Sequence, residues 1–221
     1  MPAVDAQPHP FSFALESVAL LVIDMQRDFL LPGGFGESLG NDVAQLSRTI
    51  EPLSALLAAW RSYGLPVIHT REGHLPDLSD CPPSKLARGG IGEKGAFGRI
   101  LVRGEYGHDI VDELAPRDDE IVIDKPGKGA FYATELSDVL EKLNTKQLVV
   151  TGVTTEVCVH TTVREANDRG FDCLVLSDCV GSYFPEFQRV GLQMIAAQGG
   201  IFGWVADSPT LIAALSAEEP K

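Results

Sequence analysis

The chain has 221 residues, and its 18 Lys and Arg stand against 31 Asp and Glu, a net charge of −13. So large an acidic excess argues against nucleic acids and anionic membrane surfaces as partners, because both attract a basic footprint. With 44% hydrophobic and 22% charged residues, the chain can bury a core and is not disordered by composition. It reads as one domain over residues 1–221, with 1–15 as an N-terminal extension.

The longest apolar stretch, Val18 to Ile23, is too short to cross a bilayer. Met1 to Pro10 has neither the basic start nor the apolar run of a signal peptide. The expectation is a cytoplasmic protein whose four cysteines, Cys81, Cys158, Cys173 and Cys179, are thiols.

In chain order, Val18–Ile23 is continuously apolar, as a parallel strand covered on both faces must be. Val43, Leu46, Ile50, Leu53, Leu57 and Trp60 then form a helical stripe that stops at Gly64, with a kink or break expected at Pro52. Strand-like runs follow at Pro66–His69, Glu120–Ile123, Gln147–Thr151, Cys173–Leu176 and Gly200–Val205. Between them, Thr134 can cap a helix carrying Leu136, Leu140 and Leu143, and a second helix runs from about Val157 to Arg169, with Gly170 as its stop. Pro185 and Pro209 suit first helical turns. The pattern predicts an α/β fold: a six-stranded, mainly parallel sheet with helices on both faces.

Glu72 to Asp119 breaks the alternation, with eight glycines, four prolines and weak periodicity. Loops of that length in a compact domain are functional or packed against another subunit. The plainer reading is a surface excursion with a short helix near Ile110 to Leu114.

Parallel sheets gather ligands at the carboxyl ends of their strands. The first strand ends in Asp24, the third in Asp124-Lys125-Pro126-Gly127-Lys128, and the fourth in Thr151-Gly-Val-Thr-Thr-Glu-Val-Cys158. A carboxylate, one or two lysines and a thiol thus share one edge. Cys158, at the start of a helix, fits either a buried small hydrophobe or a nucleophile whose thiolate the helix terminus would favour. Asp24 fits either a helix cap or, beside a thiol, a proton acceptor. Lys125 and Lys128 are ordinary surface lysines unless Lys125 faces Asp24 and Lys128 meets a substrate carbonyl. Gly127-Lys128-Gly129 is not a P-loop, no GxGxxG follows the first strand, and the five histidines form no i, i+4 pair. No cofactor and no metal are expected.

Three stretches carry a resemblance: Leu-Leu-Val-Ile-Asp-Met-Gln-Arg-Asp-Phe (20–29), Asp-Lys-Pro-Gly-Lys-Gly-Ala-Phe (124–131) and Gly-Val-Thr-Thr-Glu-Val-Cys-Val (152–159). Through them the chain resembles the isochorismatase-like cysteine hydrolases from about Ala19 to Ala206. That resemblance implies a three-layer Rossmann-like fold and a catalytic triad of Asp24, Lys125 and Cys158. It also implies a cis peptide at Val153–Thr154 and an oxyanion hole made by the backbone N–H groups of Thr154 and Cys158. Within the superfamily, residues 73–80, 98–105 and 164–170 look like those of biuret and triuret hydrolases. By that likeness Phe29, Lys128 and Gln198 contact a small, neutral, polar substrate, and the protein is a homotetramer. The aspartate–histidine metal cluster of nicotinamidases is absent.

The implied reaction is amide hydrolysis through a thioester, releasing ammonia from biuret or triuret. Alternatives within the superfamily are an N-carbamoyl or ureido-acid amidohydrolase, in which Arg27 or a loop arginine would hold a carboxylate, and an isochorismatase. From another class, the alternative is a non-catalytic ligand-binding or redox thiol protein.

Overall fold

Val18–Ile23 (β1) is buried at all six positions, and its side chains alternate between two cores. Val18, Leu20 and Val22 face one, while Ala19, Leu21 and Ile23 face the other, as the two-residue period of a strand requires. A strand apolar on both faces needs a helical layer on each side. The computed structural model, which describes residues 1–217, supplies both layers.

The chain continues through α1 (Ile50–Ser62), β2 (Val67–Glu72), β3 (Ile121–Lys125), α2 (Leu136–Lys142) and β4 (Gln147–Val153). It then passes through α3 (His160–Asp168), β5 (Asp172–Gly181), α4 (Pro185–Gly200), β6 (Trp204–Ala206) and α5 (Ser208–Ser216). The six strands form one parallel sheet in the order β6-β5-β4-β1-β2-β3. Leu53, Leu56, Leu57 and Trp60 of α1 pack with Leu211 and Leu215 of α5 on one face. Leu136 and Leu140 of α2, Val163 of α3 and Ile195 of α4 cover the other. The expected three-layer architecture is present.

Three local details correct or extend the sequence reading. The apolar stripe over 43–60 is not one helix: a short turn at Ala44–Ser47 precedes α1, and Pro52 lies in the first turn of α1, where proline is tolerated. The N-terminal extension, residues 1–15, packs onto the domain. Ala3–Val4 pairs antiparallel with Phe11–Ser12, burying Val4, Phe11 and Phe13 in the core, and Phe11 meets Trp204 of β6. The long excursion folds into short turns and a small hairpin, Lys94–Gly95 against Gly98–Arg99, with its expected short helix at Asp112–Leu114.

The strand order sets the position of any site. From β1 the chain builds outward through β2 and β3, then returns to β4 on the other side of β1. The reversal opens a crevice beyond the carboxyl ends of β1 and β4, the usual ligand position in an open α/β sheet. Gly152 is required there. Its φ is +103°, and a Cβ at this position would collide with the Ile23 backbone of β1.

Candidate active site

Four strand ends converge on the crevice. Asp24 follows β1 and sits in the left-handed region with a φ of 52°, its N–H donating to Thr70 O of β2 at 3.0 Å. Lys125 closes β3, and its ammonium lies 2.7 Å from Asp24 Oδ2, with both side chains fully buried. Thr70 Oγ1 donates to Asp24 Oδ1 at 2.7 Å. Lys125 Nζ also donates to Gly127 O at 2.9 Å and Lys128 O at 3.0 Å, so the turn after β3 is folded around its ammonium. After β4 the Val153–Thr154 peptide is cis, and the chain makes a π-helical turn, Thr155–Val159, before α3. Cys158 stands in that turn.

The fourth strand end was missed by the sequence reading, which stopped the second strand at His69. In the structure β2 runs to Glu72, whose carboxylate is buried beside the thiol: Cys158 Sγ donates to Glu72 Oε2 at 3.6 Å. Glu72 Oε1 receives Lys128 Nζ at 2.7 Å and Lys85 Nζ at 2.9 Å. Lys85 comes from the long excursion, which thereby contributes to the site. Its ammonium also donates to Pro126 O and meets His74 Nε2 at 3.0 Å, and His74 Nδ1 lies 3.2 Å from Asp80 Oδ1. Gln26 grips the Glu72 backbone, accepting from its N–H at 2.7 Å and donating to its carbonyl at 2.9 Å. The signal for Glu72 was available: the second strand run, Pro66–His69, is followed three residues on by a carboxylate.

Electrostatics separate the two carboxylates. Burial pushes Asp24 above the usual carboxylate range, against the pull of Lys125 and with the help of the negative Glu72. Glu72 is buried too, but Lys125, Lys128 and Lys85 together overcome that cost and hold its carboxyl at about 2. The Cys158 thiol is pushed well up, chiefly by burial and further by Asp24 and Glu72, against the pull of Lys125 and Lys128. That burial works against the thiolate a helix terminus would favour. Lys125 stays cationic, its pKa raised by Asp24 and the other nearby acidic groups despite burial.

Oxygen and sulfur atoms of Asp24, Glu72 and Cys158 lie within 4.8 Å of one another, a donor set of the kind that holds a divalent ion. Here three ammonium groups already face the two carboxylates.

A cavity of about 240 Å³ opens onto Cys158, lined also by Phe29, Phe35, Glu72, Lys128, Thr154 and Tyr183. Phe29 is fixed as a wall by Tyr183, whose hydroxyl donates to its carbonyl at 2.7 Å. Of the residues expected around a substrate, Phe29, Lys128, Thr154 and Cys158 are therefore together. Gln198 is not. It lies exposed at the kinked C-terminal end of α4, with a φ of 53°, about 18 Å of helix beyond Phe184 at the cavity rim. Arg27 is also turned away, held by Asp112 at 2.6 Å and stacked on Tyr106. No arginine is among the described residues lining this cavity. His160 is engaged behind the site by Gly191 O and Arg164.

The isochorismatase domain family model matches residues 18–209. Ureidoacrylate amidohydrolase RutB of Methylorubrum extorquens is 31% identical over 230 residues, covering 98% of this chain and 90% of that protein. The enzyme of the same name from Cronobacter sakazakii is 31% identical over 229 residues, covering 96% and 94%. Among solved structures, a cysteine hydrolase from Pseudomonas syringae pv. phaseolicola 1448A superposes with a TM-score of 0.82 at 25% identity, covering 98% of each chain. The two amidohydrolases are named for ureidoacrylate rather than biuret. The match extends over most of the sequence and is carried at this identity along nearly its whole length, so the chain belongs to the isochorismatase domain family.

Proposed function

We propose that the protein is a cysteine amidohydrolase that cleaves a terminal C–N bond of a linear, neutral ureide of the biuret or triuret type, releasing ammonia through a thioester. The observation that carries this reading is Cys158 in the cavity lining, within 4.8 Å of two carboxylates shifted in opposite directions. Such a split separates acid–base roles. Asp24, pushed up, is the carboxylate suited to take and return a proton; Glu72, held at about 2, stays ionised.

Asp24 takes the Cys158 proton as sulfur forms a bond to the substrate carbonyl carbon. An unperturbed thiol is only about 3% ionised at pH 7, and burial lowers that further, so this transfer is needed. The carbonyl oxygen becomes an oxyanion, met by the backbone N–H groups of Thr154 and Cys158, each such donor being worth about 3 kcal/mol. The C–N bond breaks, and the leaving nitrogen takes the proton from Asp24 and departs as ammonia. Water then gives a proton to Asp24 and adds to the thioester. The C–S bond breaks, and Asp24 returns the proton to sulfur. Lys125 remains protonated throughout and holds Asp24 in place.

The neutral substrate is favoured by the cavity charges. Its cation, Lys128, is bound to Glu72, and Glu156 adds a second carboxylate to the lining. A ureido acid would bring a third negative group with no arginine to receive it. A homotetramer in a reducing compartment belongs to the same reading, resting on the family resemblance and on four unpaired thiols.

A second reading, a ureido-acid amidohydrolase, is favoured by the named activity of the relatives at 31% identity. One panel separates the two: ammonia release from biuret, triuret, ureidoacrylate, an N-carbamoyl amino acid and nicotinamide. Highest kcat/KM on biuret or triuret is expected. Preference for an N-carbamoyl or ureido acid selects the second reading, and no release from any ureide contradicts both.

A further inference from the structure

The triad leaves Glu72 unassigned, although it is the residue whose side chain touches the thiol. Its two oxygens differ. Oε1 is occupied by two ammonium groups, from Lys128 at 2.7 Å and Lys85 at 2.9 Å. The one hydrogen bond Oε2 takes from the described residues is that of the Cys158 thiol at 3.6 Å, and S–H is a weak donor. Oε2 is thus an under-used acceptor on the cavity wall, beside the atom that attacks.

The carboxylate cannot swing away to find a better donor. Gln26 pins its backbone on both sides, and Lys85 is itself held by Pro126 O and by the His74–Asp80 pair. Once the thiol proton leaves for Asp24, Oε2 loses its partner. A buried charged acceptor without a partner is costly, so an incoming N–H is strongly favoured there.

Geometry selects which N–H. A ureide carbonyl carbon carries nitrogen on both sides, and sulfur attacks between two carboxylates whose oxygens lie within 4.8 Å of it. The departing nitrogen must reach Asp24 for its proton. The nitrogen that stays on the carbonyl then faces the other carboxylate. Resting on the ureide reading above, we propose that Glu72 Oε2 is a specificity-determining acceptor for the retained, bridging N–H of the substrate, so that the site selects ureides over plain amides. A plain amide places CH₂ there and leaves Oε2 unpaired. An ester or vinyl ether places an oxygen lone pair against a carboxylate.

Biuret and malonamide differ at that position alone, NH against CH₂, and both release ammonia on hydrolysis. The test is the ratio of their kcat/KM values in the wild-type protein and in Glu72→Gln. In the variant the side-chain amide oxygen faces the two lysines, turning its NH₂ toward the substrate N–H. The wild type is expected to prefer biuret, and the variant to reduce that preference about 100-fold, the worth of a hydrogen bond to a charged group. Equal wild-type turnover of both compounds overturns the proposal while leaving the ureide reading intact, and it does so even if the variant fails to fold. A folded variant that keeps the wild-type ratio also overturns it. No turnover of biuret or triuret by the wild type removes the ureide reading and this proposal with it.

Discussion

Two glutamates in this protein are held at about 2 by neighbouring cations, and they do opposite things. Glu120, just before β3, is saturated. Its Oε1 receives Arg61 Nε at 2.7 Å, and its Oε2 takes Arg61 at 2.8 Å, His69 at 3.0 Å and the Arg117 N–H at 3.0 Å. It ties the end of α1 to β2 and to the start of β3, with strong donors on both oxygens. Glu72 is paired on one oxygen only, and its second oxygen faces a thiol on a cavity wall. A lowered pKa therefore does not identify a functional carboxylate in this fold. Unspent hydrogen-bonding capacity beside the Cys158 thiol is what sets Glu72 apart.

The largest expected effect lies on the cavity side. Cys158→Ser should lower ammonia release about 10⁴-fold or more while leaving the far-ultraviolet circular dichroism unchanged. Asp24→Asn should cost between about 10² and 10⁴ in kcat, the range for removal of a general base, with a smaller change in KM.

Substituting the two glutamates in parallel sharpens the comparison directly. Glu120→Gln should leave kcat/KM within about twofold but lose about 2 kcal/mol, read as a fall of roughly 6 °C in Tm. Glu72→Gln should reverse the pattern, changing substrate preference far more than Tm. Similar kinetic losses from both variants would erase the distinction drawn between the two sites.

The smallest effect concerns pH. Both carboxyls have folded pKa values of about 2, below their ordinary 4.5, so each contributes stability in full above pH 4.5. That contribution is lost as the pH falls from 4.5 through 2. The stability gap between wild type and Glu120→Gln should accordingly shrink over this interval in acid denaturation curves. A gap that widens on acidification would contradict the assignment.

Much of this arrangement was legible in the amino-acid sequence, for local reasons. The unbroken Val18–Ile23 run requires helices on both faces, and the strand-end rule places Asp24, Lys125 and Cys158 on one edge before any contact is known. Other features depend on contacts between distant segments. Thr-Arg-Glu after His69 lacks a strand's apolar signature, so Glu72 was assigned to a loop; pairing with β3 extends the strand to it. Lys85 reaches Glu72 from a glycine-rich segment with no periodicity to place it. Gln198 lies away from the Cys158 cavity of its own chain, at the far end of α4 where residues 197–199 leave the helical conformation, which sequence pattern alone did not reveal. The balance between helix terminus and burial at Cys158 likewise depends on what surrounds the turn.

The central claim is covalent chemistry at Cys158. Acid-quenching the protein during turnover of biuret, followed by mass spectrometry of its cysteine peptides, addresses it directly. The expected result is an adduct of substrate minus ammonia on the Cys158 peptide alone, absent from Cys158→Ser. Sustained ammonia release by Cys158→Ser, or the adduct on Cys81, Cys173 or Cys179 instead, would contradict it.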